Sequence, residues 1–245
     1  MIFVPYHLDE RLFGLEADLP GAPETVVTVE LPDGDIWARL ASLYDRVANA
    51  VAGEVEQGRR PVVLSGDCAV SLGVVAGLQR GGEDVGVVWF DAHGDVQTLE
   101  TTTSGYIGGM PLRLLVGYRP GLIAERIGLR AVSEERAVLV DARDLDPAEE
   151  EYLAGATLMR YNINEIRPPD GKFLIHVDLD VVDPAELPGL MFPVGGGPSG
   201  GALLAAVGEL VATGRVAGID VACTWRPDGG DARRRNLVEA LTKSL

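Results

Sequence analysis

Asp91-Ala92-His93-Gly94-Asp95 puts two carboxylates and an imidazole within five residues. That donor set, mostly hard oxygen with one nitrogen, suits a divalent cation. A second acidic pair, Asp178 and Asp180, stands in Asp178-Leu179-Asp180-Val181-Val182-Asp183-Pro184. Both clusters follow apolar runs, Val85–Phe90 and Lys172–Val177. If the strands continue through them, residues at period 2 share one face. The five ligand-type residues Asp91, His93, Asp95, Asp178 and Asp180 are enough for one or two ions, and carboxylate-rich sites favour Mn²⁺ over Zn²⁺. Two ions roughly 3.5–4 Å apart can share a hydroxide and make it nucleophilic at neutral pH. The bland alternative is that aspartates after strands cap helices or shape turns. For Asp183, followed by proline, that alternative is preferred.

These residues need elements to hold them. In open parallel α/β sheets, chemistry collects at the carboxyl ends of strands. Further short apolar runs begin at Ile2, Thr25, Pro61, within 134–141 and at Val216. Between them lie helical patterns. From Ile36, apolar residues recur at Leu40, Leu43, Val47, Val51 and Val55, with Asp35 as a cap and Gly58 near the end. Further helices are expected from Val70, over Pro111–Val116, from Pro147 to Leu153, after Ser199, and over Asn236–Leu245. Alternation of strand and helix implies an α/β fold, with parallel strands and helices on both faces. No linker divides the chain, so residues 1–245 are expected to form one domain.

A net charge of −16 excludes the basic grooves that nucleic acids and anionic membranes need. It is compatible with a cationic substrate. Two cysteines make no disulfide framework, and the N-terminus lacks the basic and apolar regions of a signal peptide. No apolar run approaches the ~18 residues of a membrane span. A cytoplasmic protein is expected.

The motifs together resemble the ureohydrolases, the family of arginase, agmatinase and formimidoylglutamase. The resemblance covers roughly residues 60–227. Ser65-Gly66-Asp67-Cys68-Ala69 is similar to the family's Gly-Gly-Asp-His-Ser segment, and residues 91–95 match its Asp-Ala-His-x-Asp signature in full. Asp178, Asp180, Asp183, Pro184, Pro188 and Gly189 match its Asp-x-Asp-x-x-Asp-Pro…Pro-Gly segment. The resemblance implies a three-layer α/β/α sandwich around a mostly parallel sheet, commonly assembled as trimers or hexamers. It also implies a manganese hydrolase that cleaves a C–N bond of a guanidinium or other linear amidine, using a hydroxide activated by the metal. Asp91 and Asp178 would then bridge two ions. Asp95 would complete the first site and orient the hydroxide, while His93 and Asp180 would complete the second. Asp95 and His93 are the catalytic candidates.

Three departures from the family matter most. Cys68 stands where a histidine ligand of the first metal is expected, Gly108 where many arginases carry a histidine proton shuttle, and Cys223 near the glutamate that pairs with the guanidinium. Losing that carboxylate removes a charge-assisted hydrogen bond of roughly 1.5–3 kcal/mol, which argues against ordinary arginase activity. Tyr106 also replaces an asparagine near the arginine carboxylate site. Ser104, Asp146, Glu149 and Cys223 are the substrate-binding candidates, although Asp146 and Glu149 also read as acids at a helix N-terminus.

Cys68 has three readings: a thiolate ligand, a neutral thiol beside a single remaining ion, or the mark of a site that has lost both ions. Cys68 and Cys223, both after strands, could also be redox partners. His176 shares a strand face with Asp178, so it reads either as a neighbour of the site or as a packed core histidine. His7 reads as a solvated or capped strand end. The alternative function is a catalytically degenerate homologue with a binding or regulatory role. Against it stand the unreplaced ligands, since clustered carboxylates cost stability unless a cation compensates.

Overall fold

The computed structural model describes residues 1–226 and 230–245. Its centre is an eight-stranded sheet in which every pairing is parallel. In chain order its strands are β1 (Ile2–Val4), β4 (Thr25–Val26), β5 (Val62–Ser65), β6 (Val85–Asp91), β7 (Ala137–Asp141), β8 (Met159–Tyr161), β9 (Lys172–Asp178) and β10 (Val216–Ala222). The short antiparallel pair β2 (Tyr6–His7) and β3 (Glu10–Arg11) lies apart from it. In space the strands run β4-β1-β5-β10-β9-β6-β7-β8. The chain thus builds one half of the sheet, jumps to β6, builds the other half, and returns to fill the middle with β9 and β10. That middle is where strand order reverses and where a crevice opens at the carboxyl ends.

One face of the sheet is covered by α1 (Ile36–Glu56), α2 (Ser71–Arg80), α3 (Pro111–Leu115), α4 (Ala124–Ile127) and the flank of α5 (Pro147–Gly155). The other is covered by α6 (Gly200–Ala212) and α7 (Ala232–Thr242). The arrangement is the expected α/β/α sandwich. Because both faces are covered, β6 and β10 are buried throughout and read as apolar runs. Helix α1 forms where its periodicity places it. Leu40, Leu43, Val47 and Val51 are buried, and the Asp35 carboxylate accepts from the Ala38 N–H at 2.8 Å. Ser199 caps α6 in the same way, through Ala202.

Several expectations are corrected. The first apolar run, 2–6, breaks at Pro5 into two strands, and the run at Thr25 pairs over only two residues. The last helix starts at Ala232 and ends at Thr242, earlier than residues 236–245 suggested. Strand β8 and helix α4 carry no clear sequence pattern. Met159 and Arg160 are exposed on an edge strand, where no buried face enforces alternation. Among the described residues, no helix is long and apolar enough to cross a membrane.

Candidate metal centre

The adjacent strands β6 and β9, with Phe90 opposite Val177, end in Asp91 and Asp178. The two acidic clusters are therefore immediate neighbours, not groups facing each other across a gap. The strand also stops at Asp91, so the period-2 argument for His93 and Asp95 does not apply. They stand on an irregular turn instead, where Asp95 takes a left-handed φ of 54°. Aspartate is among the residues that tolerate this conformation, which is enriched at functional sites. Asp178 caps the short 3-10 turn Leu179–Val181 by accepting from the Asp180 N–H at 2.8 Å, and this fixes Asp180 beside it.

The carboxylates converge on His93. Its Nδ1 lies 3.3 Å from Asp91 Oδ1 and 3.2 Å from Asp180 Oδ2. The ligand-capable atoms of Asp91, His93 and Asp180 all lie within 4.8 Å of one another. Across the pocket, Cys68 sits on a 3-10 turn after β5, with its Sγ 2.9 Å from Asp178 Oδ2 and 4.0 Å from Asp91 Oδ2. Asp95 lines the same pocket and is 4% exposed, and its Oδ2 has no hydrogen-bond partner among the described residues. An orphaned buried carboxylate oxygen beside converging donors fits a divalent cation.

The electrostatics agree. Burial, together with Asp91 and Asp178, pushes Asp95 well above the usual carboxylate range. Burial and the neighbouring aspartates do the same to Asp180, and burial with Asp91 raises Asp178 to about 6. Burial disfavours charge on Asp91 too, but the hydrogen bond and charge of His93 outweigh it and leave this carboxyl low. Burial would also discharge His93; the Asp180 and Asp91 carboxylates overcome this and push it up to about 12. The Cys68 thiol is pushed well up by burial and by Asp178. So many buried acids with one cationic partner make a site that a divalent ion would relieve.

Of the substrate-binding candidates, Ser104, Asp146 and Glu149 line the pocket. Asp146 and Glu149 also hold structure. Glu149 accepts from the N–H groups of Asp146 at 3.1 Å and Val96 at 3.2 Å, and Asp146 accepts from Gln97 Nε2 at 2.7 Å. They tie the start of α5 to the metal-candidate turn. Cys223 is a correction. It lies just past β10 and belongs to the core under α6 and α7, with Ile219 and Val221, so its side chain is absent from the pocket lining. Its neighbour Thr224 lines the pocket instead, donating its hydroxyl to Asp178. Cys68 belongs to the opposite core, and both thiols are free, so the suggested redox pair is not made.

Other residues also support the site. Trp89 donates its indole N–H to Asp91 at 3.2 Å. Two residues before Asp91 on one strand face, it was within reach of a period-2 argument. His7 is no solvated strand end: it stacks on Tyr106 and bonds its hydroxyl at 3.0 Å. The Tyr106 ring lies against Gly108, where a Cβ would come within 2.2 Å of its tip. No sequence pattern announces that contact.

A sequence profile described as the arginase family matches residues 11–227. The chain belongs to the arginase family. It is 34% identical over 176 residues to an arginase of Bacillus caldovelox, an alignment covering 64% of this chain and 58% of that protein. The arginase of Bacillus subtilis (strain 168) gives 34% over 172 residues, covering 63% and 58%. In these alignments the chain spans somewhat over half the length of the curated relatives it matches. A crystal structure of arginase from Bacillus cereus superposes with a TM-score of 0.84 at 25% identity, covering 99% of this chain and 96% of that one. Formimidoylglutamase from Bacillus subtilis shares the fold alone, with a TM-score of 0.70 at 18% identity over all of this chain and 86% of that one.

Proposed function

We propose that this arginase-family chain is a metal-dependent hydrolase that cleaves the C–N bond of a linear amidine or guanidinium compound. The observation that carries this reading is the convergence of Asp91, His93 and Asp180 within 4.8 Å, with His93 and Asp180 lining an acidic pocket. Asp91, His93, Asp180 and Asp178 would hold a divalent ion, with Mn²⁺ favoured by so many carboxylates. When bound, such ions make water nucleophilic at neutral pH.

The chain's own residues do the rest. Asp95, buried and with one oxygen unpartnered, is placed to orient the attacking water and to take its proton. Water adds to the amidine carbon, the C–N bond breaks, and the amine leaves with a proton. Trp89 and Thr224 hold the Asp91 and Asp178 carboxylates in place. The described pocket lining contains acids and no lysine or arginine, which favours a cationic substrate and gives a substrate carboxylate no lysine or arginine to pair with. Tyr106 and Phe192, whose ring centroids lie 5.4 Å apart, offer aromatic surface to a planar cation. Self-association and a cytoplasmic setting complete the proposal.

The test is to strip the protein of metal, reload it with Mn²⁺, count ions by elemental analysis, and assay guanidino and formimidoyl compounds for release of urea, ammonia or formamide. Bound manganese with release from a carboxylate-free guanidino compound is expected. Failure to bind any metal after reconstitution would defeat the proposal and leave the catalytically degenerate homologue as the better account.

A further inference from the structure

Cys68 leaves the first metal position without its expected imidazole. The fold brings a different one to the same place. His176, on β9, lies on the same sheet face as Asp178 and is fully buried. The ligand-capable atoms of Cys68, Asp91 and His176 lie within 4.8 Å of one another, and Asp91 is common to this group and to the one around His93.

The surroundings of His176 match a pattern common around metal-bound histidines. Its Nδ1 is 2.8 Å from Ser71 Oγ and 3.1 Å from Asp220 Oδ2, and Ser71 also donates to Asp220. Metal-bound histidines commonly give their second nitrogen to a carboxylate in this way, which fixes the tautomer and raises ligand basicity. With Nδ1 held, Nε2 is the free nitrogen. It is buried and without a hydrogen-bond partner among the described residues. A buried imidazole nitrogen left bare costs free energy unless something binds it. The Trp89 ring stacks on the imidazole at 3.7 Å while its N–H holds Asp91, so a single side chain orients two donors.

We infer that Cys68, Asp91 and His176 form a thiolate–imidazole–carboxylate site for a borderline-soft divalent ion such as Zn²⁺ or Co²⁺, with Asp220 and Ser71 as positioning residues. The inference rests on the proposal that this pocket holds metal, and it changes which ion the first position selects. Sulfur and nitrogen donors favour zinc-like ions, whereas the group around His93 stays oxygen-rich and suits manganese.

The experiment uses the metal-free full chain and Co²⁺ as a spectroscopic probe. The chain has two cysteines, so a thiolate-to-cobalt charge-transfer band in the near ultraviolet can be assigned by two variants. The band is expected to saturate at one equivalent, to vanish in Cys68→Ser and to persist in Cys223→Ser. Zn²⁺ should displace it and Mn²⁺ should not. His176→Asn should weaken cobalt binding at this site by about 100-fold or more, and Asp220→Asn by about 10–100-fold, with Mn²⁺ binding retained. X-ray absorption on the protein loaded with one equivalent of Zn²⁺ needs no variant, and should show one sulfur at about 2.3 Å with nitrogen and oxygen at about 2.0–2.2 Å. Cobalt or zinc bound without sulfur, or a band unaltered in a folded His176→Asn, would overturn this inference and leave the hydrolase proposal standing. Failure to bind any ion would overturn both.

Discussion

The strand pairs β6–β9 and β5–β10 end in the same pocket, and they have been treated differently. The first pair carries Asp91, His93, Asp95, Asp178 and Asp180, the residues on which the motif resemblance rests. The second carries the departures, Cys68 after β5 and Cys223 after β10. Yet the second pair is no less connected to the site. Cys68 touches Asp178, Thr224 donates to Asp178, and Asp220 holds His176. Cys68, an altered position, keeps bonding to a retained one, as in a site rebuilt on that side, whereas Cys223 is turned into the core and has no partner in the pocket.

The largest test of this contrast is Asp91→Asn, since Asp91 belongs to both ligand groups. Turnover is expected to fall by about 10³-fold or more, the several kcal/mol that a catalytic ion supplies, and calorimetric titration should show both ions weakened. If only one ion were lost, the two strand pairs would not share a ligand. Next is Cys68→His, which restores the family's imidazole. Elemental analysis should then find a second manganese ion, with activity raised roughly tenfold, or about 1.4 kcal/mol of barrier. No change in either would favour the degenerate homologue.

A pH titration of the metal-free protein probes the retained side. Asp95, Asp178 and Asp180 are all harder to ionise in the fold than in an unfolded chain. The folded state therefore holds more protons, and stability falls as pH rises from about 4 through 6 and beyond. His93, pushed up to about 12, adds loss in the same direction above neutral pH. Asp91, held low, titrates below this window. Thermal melting should thus give a higher Tm at pH 5 than at pH 7.5 without metal, and Mn²⁺ should remove or reverse the difference. A metal-free Tm that climbs with pH would contradict the burial of these acids.

The smallest effect is expected at Cys223. Cys223→Ala should leave KM and metal content unchanged and cost about 1 kcal/mol, or a Tm decrease of about 2–4 °C. A changed KM would place the thiol in the pocket after all.

Much of this was readable from residues alone. The spacing of Leu40, Leu43, Val47 and Val51 marked α1, and the apolar runs before Asp91 and Asp178 marked the two strands that carry the centre. Strand β8 left no mark, because an edge strand with exposed Met159 has no face to keep apolar. Cys223 went astray for a reason of parity. Position in a motif fixes where a residue falls along the chain, but a shift of one residue sends a side chain to the opposite face. Cys223 accordingly joins Ile219 and Val221, while Asp220 and Ala222 point the other way. His176 was found on the right face by the same rule. What no pattern could supply was that Asp220 and Ser71 would hold one of its nitrogens and leave the other bare.

Tyr106 fills the volume that any side chain at Gly108 would need. A side chain at 108 therefore requires the Tyr106 ring to move. Putting a histidine at 108 while tyrosine remains at 106 would displace the ring and its bond to His7, so the effect of the new imidazole would be mixed with that loss. A smaller residue at 106, such as the asparagine that the motif resemblance implies there, would free that space. Residues 106 and 108 are thus coupled through the space that one aromatic ring occupies.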